Sequence, residues 1–182
     1  MLIVDHYTRF AQAYPTTSKS AKTVADKIFN DYALKFGFPL RIHHDQGGDF
    51  ENQLFAQLKK NCGVMGSRTT PYHPQGNGQV ERQNRTLLQM LRTLTEKQKS
   101  DWRESLPKLI YAYNSTRSEV TGFSPFYLLF GRSPRLPVDL LFGLTPETGT
   151  ADHREYMKKW KQQMQEAYEI TKANTKKCAE RS

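Results

Sequence analysis

Two acidic residues are placed to act as a metal-binding pair. Asp45 follows the short β-compatible run Leu40 to His44, Glu81 opens a long amphipathic segment, and residues 46–80, 35 in all, lie between them. A carboxylate at the C-terminal end of a strand and another at the start of a helix can converge on a divalent cation. Mg²⁺ takes a few carboxylates together with water and phosphate oxygens, and such pairs are at the centre of two-metal phosphoryl-transfer sites. Acids are common, so the spacing alone is weak; the side chains around it are more specific.

Those surroundings read His43-x-Asp45-Gln46-Gly47-x-x-Phe50, and then Thr69-x-x-x-His73-Pro74-Gln75-x-Asn77-Gly78-x-x-Glu81-Arg82-x-Asn84. The two motifs, in this order and at this distance, resemble the catalytic core of integrases from retroviruses and gypsy-type LTR retrotransposons. That family carries a triad of Asp, Asp and, after a 35-residue gap, Glu. The resemblance makes Asp45 the second Asp and Glu81 the Glu. It implies two Mg²⁺ (or Mn²⁺) ions, in-line attack on a phosphodiester, and strand transfer during DNA integration. It also makes residues 70–79 the loop against a DNA end, with Gln46, Tyr72, His73 and Gln75 facing DNA. The triad's first Asp, which bridges both metals, belongs to a strand that the family places ahead of Met1. Its absence from these residues implies weak or absent metal binding and impaired catalysis. It also implies unpaired strand edges, with the chain marginal or oligomeric through the gap. The first Asp within the chain, Asp5, matches a family position that is not a ligand and reads as a turn-stabilising acid.

The elements that must position these groups follow from the pattern. Leu2 to Asp5 and Arg9 to Tyr14 form a hairpin. Ala21, Val24, Ala25, Ile28, Phe29, Tyr32 and Phe36 recur at three and four, a helix that Gly37 closes. Leu40 to His44 is a strand delivering Asp45 at the end where open α/β sheets place their sites. Asp49 caps a helix ended by Gly63, and Val64 to Thr69 is a further strand. From Gln79 to Ser100 runs a long helix. Its Glu81, Asn84, Arg85, Leu88 and Arg92 share one side, with Val80, Leu87, Leu91 and Leu94 inward. Arginines in the first turns oppose the helix dipole, so Asn84 and Arg85 read as DNA contacts. Another helix turns Trp102, Leu106, Leu109, Ile110 and Tyr113 inward, and Pro107 bends or breaks it. Ser124-Pro125 starts one that Gly131 ends; Arg132 and Arg135 after it read as DNA or dimer contacts. The order is that of an α/β, RNase H-like fold by resemblance, a mixed sheet flanked by helices. The domain divides into a core over 1–135, a linker over 136–150 and a basic helical extension over 151–182. In the extension Tyr156, Trp160, Met164, Ala167 and Thr171 form a stripe, for packing on a neighbour or as a connector to a further DNA-binding domain.

Bulk properties agree with a polyanionic partner. The 182 residues carry a formal net charge of +9, with a pI near 9.6, which favours DNA or RNA. Cys62 and Cys178 form no Cys-x-x-Cys pair, which argues against a zinc module or a disulfide framework. His43 and His44 point to opposite faces of a strand and do not chelate together. No apolar run reaches membrane-spanning length, and Asp5 interrupts the first apolar run, so neither a membrane partner nor secretion is expected. A nuclear, chromatin-associated location or a cytoplasmic nucleoprotein particle is the expected setting, with self-association on DNA. Two alternatives stand beside the integrase reading: a domesticated, non-catalytic DNA-binding module, and an RNase H-type nuclease. The 35-residue gap and the run from Ser124 to Arg132 argue against the second.

Overall fold

A computed structural model describes residues 1–18, 20–44, 56, 60–68, 78–144 and 152–180. Strands β1 (Leu2–Val4) and β2 (Ala11–Ala13) form the hairpin. Met1 and Tyr14 exchange hydrogen bonds at its open end, and the Asp5 N–H donates to Phe10 O at its turn, so the pairing is antiparallel. Strands β3 (Arg41–His44) and β4 (Met65–Arg68) run parallel, with Arg41 opposite Met65 and His44 opposite Arg68. Among the described residues the two pairs are separate sheets.

Between β2 and β3 the chain is helical from Ala21 to Phe36, but not uniformly so. Helix α1 (Ala21–Asp26) passes into a π-helical stretch, Lys27–Ala33, and then into the short α2 (Leu34–Phe36). Ser20 caps the start by accepting from the Thr23 N–H, and Gly37 ends it at φ 93°. The wider π turn changes which residues face inward. Val24, Ala25, Ile28 and Ala33 are buried, and the last step is five residues rather than the expected four to Tyr32. Val24, Ala25 and Ile28 form a core against Met1 and Ile3 of the hairpin and Ile42 of β3.

The expected long helix from Gln79 is two helices. Helix α3 covers Gly78–Arg92 and α4 covers Glu96–Ser100. Thr95 makes the break. Its hydroxyl accepts from the Gln98 N–H while the Gln98 side chain accepts from the Thr95 N–H, a reciprocal cap that starts a new helix. Helix α5 (Trp102–Ser115) runs through Pro107 unbroken, with Leu106 and Ile110 buried. Trp102 is on its exposed side, contrary to the sequence expectation. Helix α6 (Pro125–Phe130) has the expected cap at Ser124 and a left-handed Gly131 at its end. The expected linker contains a short helix, α7 (Pro137–Leu141), whose Asp139 carboxylate accepts from the Leu136 N–H at 2.7 Å. Helix α8 (His153–Glu180) covers most of the extension.

The chain divides into two compact units. One comprises Met1–Val4 with Gln12–Leu109, the other Asp5–Ala11 with Ile110–Ser182. In the second, α8 packs on α6, and Met164, Ala167 and Thr171 of α8 are buried, whereas Tyr156 is exposed and leaves the expected stripe. The Tyr168 hydroxyl donates to Leu128 O and the Asn174 amide to Thr121 O. The hairpin turn joins this unit at several points: the Tyr7 hydroxyl donates to Tyr168 O, Phe10 packs on Phe130, and Asn114 holds Ala11. Asn114, buried on α5, accepts from the Ala11 N–H at 2.9 Å and donates to Ala11 O at 2.8 Å. Asn114→Ala is expected to lower stability by about 2–4 kcal/mol, because it leaves both backbone groups of Ala11 buried and unpaired; urea unfolding measures it.

Candidate functional site

The carboxylate pair is half visible. Strand β3 ends at His44, which is buried, and the parallel register sets its C-terminal end beside that of β4. Ile42 packs toward α1, so Arg41 and His43 occupy the opposite face of the strand. His43 is exposed there, with Nδ1 2.9 Å from Ser67 Oγ on β4. Asp45, Gln46, Tyr72, His73 and Gln75 lie outside the described residues.

Glu81 stands in the first turn of α3 and is exposed. There the unsatisfied N–H groups of the helix start favour negative charge. Asn84 and Arg85, one turn on, are also exposed, and so are Leu88 and Arg92 further along the same side. Leu88 is 47% exposed, whereas Leu87, Leu91 and Leu94 are half-buried. The helix therefore turns its leucine seam inward and leaves the side bearing Glu81, Asn84, Arg85 and Arg92 to solvent. Arg82 is exposed too, but its Nε is tied to its own helix, donating to Gly78 O at 3.2 Å. The α3 helix packs near β1, within the first unit.

Carboxylate oxygens are the hard donors Mg²⁺ prefers, and the exposed Glu81 is one such donor, so the chemistry of the described side chain fits a divalent metal. Among the described residues no three acids, histidines or cysteines cluster as a metal site. Asp5 serves the hairpin turn instead. Its Oδ2 accepts from both the Thr8 N–H and the Thr8 hydroxyl, at 2.8 and 2.7 Å. Thr8 Oγ1 in turn accepts from the Phe10 N–H, and Arg9 between them adopts φ 67°.

Sequence reasoning passed over Asn114. The signal was available: an amide falls on the stripe set by Leu106 and Ile110, and a polar group on a buried stripe must find hydrogen bonds.

The described residues thus give an exposed acid at the start of α3 and a parallel strand pair whose C-terminal ends lie together, and the comparisons identify the fold. The fold matches the catalytic core of BIV integrase with a TM-score of 0.57 and 24% identity, over 70% of this chain and 82% of that one. It matches the HTLV-2 integrase catalytic core, solved with magnesium in a trimeric form, at 0.56 and 17%, with the same coverage. It also matches a simian T-cell lymphotropic virus intasome bound to PP2A regulatory subunit B56 gamma at 0.59 and 20%, over 81% of this chain and 51% of that one. In sequence the chain is 37% identical over 136 residues to the retrovirus-related Pol polyprotein from transposon 412 of Drosophila melanogaster. It is 33% identical over 159 residues to the Pol polyprotein of feline endogenous virus ECE1. No family model matches. The chain is homologous to the Pol polyproteins of retroviruses and retrotransposons, and its fold is that of the retroviral integrase catalytic core. It spans 11% and 15% of the length of those two polyproteins.

Proposed function

We propose that these residues act on DNA as the core of a retroelement integrase, in Mg²⁺- or Mn²⁺-dependent phosphodiester strand transfer. The observation that carries the reading is the exposed side of α3, where Glu81 is followed within one turn by Asn84 and Arg85 and nothing covers them within the described residues. Asp45 and Glu81 would each hold one metal ion. Bound there, the ions would activate the attacking oxygen and stabilise the leaving one. Asn84 and Arg85 orient the DNA by donating to phosphate oxygens or base edges. Gln46, Tyr72, His73 and Gln75 belong to the same DNA-facing set. The neighbours that carry magnesium, form trimers or assemble as an intasome are consistent with a metal-dependent chain that self-associates on DNA. Its place of action is then the nucleus or a nucleoprotein particle.

Residues 1–182 supply two of the three carboxylates of the family triad. A two-metal site with only two carboxylates would hold its ions weakly, because too little negative charge is present to offset the repulsion between the ions. We expect the purified chain to bind DNA and to join strands in Mn²⁺ at a rate near the metal-free background. Joining well above background, lost in both Asp45→Asn and Glu81→Gln, would show that another group completes the site. A chain that binds no DNA would overturn the reading as a whole. Retained binding without joining also fits a domesticated DNA-binding module; restoring the third carboxylate on a preceding strand separates the two, since only an integrase core then gains metal-dependent joining.

A further inference from the structure

The second unit carries an aromatic and cationic surface that neither the carboxylate pair nor α3 uses. Tyr111 of α5 lies edge-on to Phe126 of α6, with ring centroids 6.3 Å apart, and Phe126 is 4.5 Å from Phe130. Phe130 rests edge-on against the buried Phe10 at 5.5 Å, which anchors the array from below. The Tyr111 hydroxyl donates to Arg135 O at 2.6 Å and fixes its ring. The Arg132 guanidinium lies over Phe126, 5.2 Å from the centroid. The two outer rings are not core residues: Tyr111 is 38% and Phe130 40% exposed. Arg132 and Arg135 are exposed as well, and among the described residues neither is paired with a carboxylate.

Half-exposed rings held rigidly beside unpaired guanidinium groups mark a contact surface. A guanidinium stacked on a ring keeps its N–H edge free for an anion. An aromatic face for a base and cations for its phosphates are the parts of a single-strand platform. A second copy of the chain fits less well. A two-fold pairing of this surface brings Arg132 toward its own equivalent, and like charges oppose that approach.

We propose that Tyr111, Phe130 and Arg132 form a stacking platform for an unpaired nucleobase, with Arg132 and Arg135 serving the flanking phosphates. The inference rests on DNA as the partner and adds a strand state to it: unpaired nucleotides rather than duplex. The aromatic rings give affinity without base identity, because every base has a π-face.

The test is fluorescence anisotropy of the full chain with a labelled oligothymidylate and with a blunt duplex of equal length. Tyr111→Leu and Arg132→Gln are each expected to weaken oligothymidylate binding about tenfold and to leave duplex affinity unchanged, while Tyr111→Phe retains both. Arg132 is exposed, so its variant keeps the core intact and remains informative if the Tyr111 variants melt early by circular dichroism. Equal losses on both probes, or no loss on the oligothymidylate, overturn the platform while duplex binding still supports α3 as a DNA face. A wild-type dimer in sedimentation that both variants dissociate overturns it in favour of self-association. Absence of binding to either probe overturns the platform and the DNA reading together.

Discussion

Raising salt from 50 to 200 mM is expected to weaken duplex binding by this chain about 10²- to 10³-fold, the release expected for about five neutralised phosphates. The basis is the +9 net charge and the solvent-facing arginines of α3. Phosphate contacts release condensed counterions, and the slope of log affinity against log salt counts them. Arg85→Ala removes one such contact and should lower that slope by about one. Arg82→Ala should change the slope less, because the Arg82 Nε is engaged with Gly78 O in its own helix. The comparison of two adjacent arginines on one helix is stringent: general loss of positive charge would move both slopes equally. A salt-independent affinity, or equal slopes for the two variants, would remove α3 as the DNA face.

The largest effect on stability is expected at Gly131. It closes α6 at φ 68°, where its N–H donates to Tyr127 O at 2.8 Å. A Cβ there would collide with the Trp160 indole, whose Cε2 would lie 2.6 Å away, with Nε1 nearer still. The left-handed backbone costs any other L-residue about 1–2 kcal/mol, and overpacking against a ring about 1–3 more. Gly131→Ala is therefore expected to lose about 2–5 kcal/mol in urea unfolding. A Gly131→Ala, Trp160→Leu double variant should recover the collision part and not the backbone part, so the two changes will be non-additive. Additivity would mean that α8 does not press on the end of α6.

How far the sequence specified this structure depends on the range over which each feature is decided. The cap at Ser124, Pro125 at the first helical position and the stop at Gly131 are local, and they stand where the residues predict. The strand that leads to Asp45 and the exposed start of α3 at Glu81 follow from short patterns in the same way. The π stretch at Lys27–Ala33 was not legible, because its apolar residues recur at α-helical spacing and only the packing of Ala33 selects the wider turn. The break at Thr93–Thr95 was written in Thr95 and Gln98 but masked by leucines that keep their period across it. Period alone places Trp102 and Tyr156 inward, but it fixes a residue's side of the helix and not what lies against that side; both are exposed. Of the candidate site, Glu81, Asn84 and Arg85 share the expected face, while Asp45 and the loop residues fall outside the described part.

The Asn114–Ala11 pairing has a consequence for the order in which the molecule is made. The second unit takes its residues from Asp5–Ala11 and from Ile110 onward. A chain that emerges from the ribosome N-terminus first therefore has its hairpin turn waiting until α5 has been synthesised. Contacts across 103 residues close late, after the loop entropy between them has been met. Until then Ala11 lacks its side-chain partner for both backbone groups, and the turn is open to exchange with solvent. Once folded, the Ala11 amide should be among the last to exchange, since freeing it requires undoing a unit assembled from both ends of the sequence.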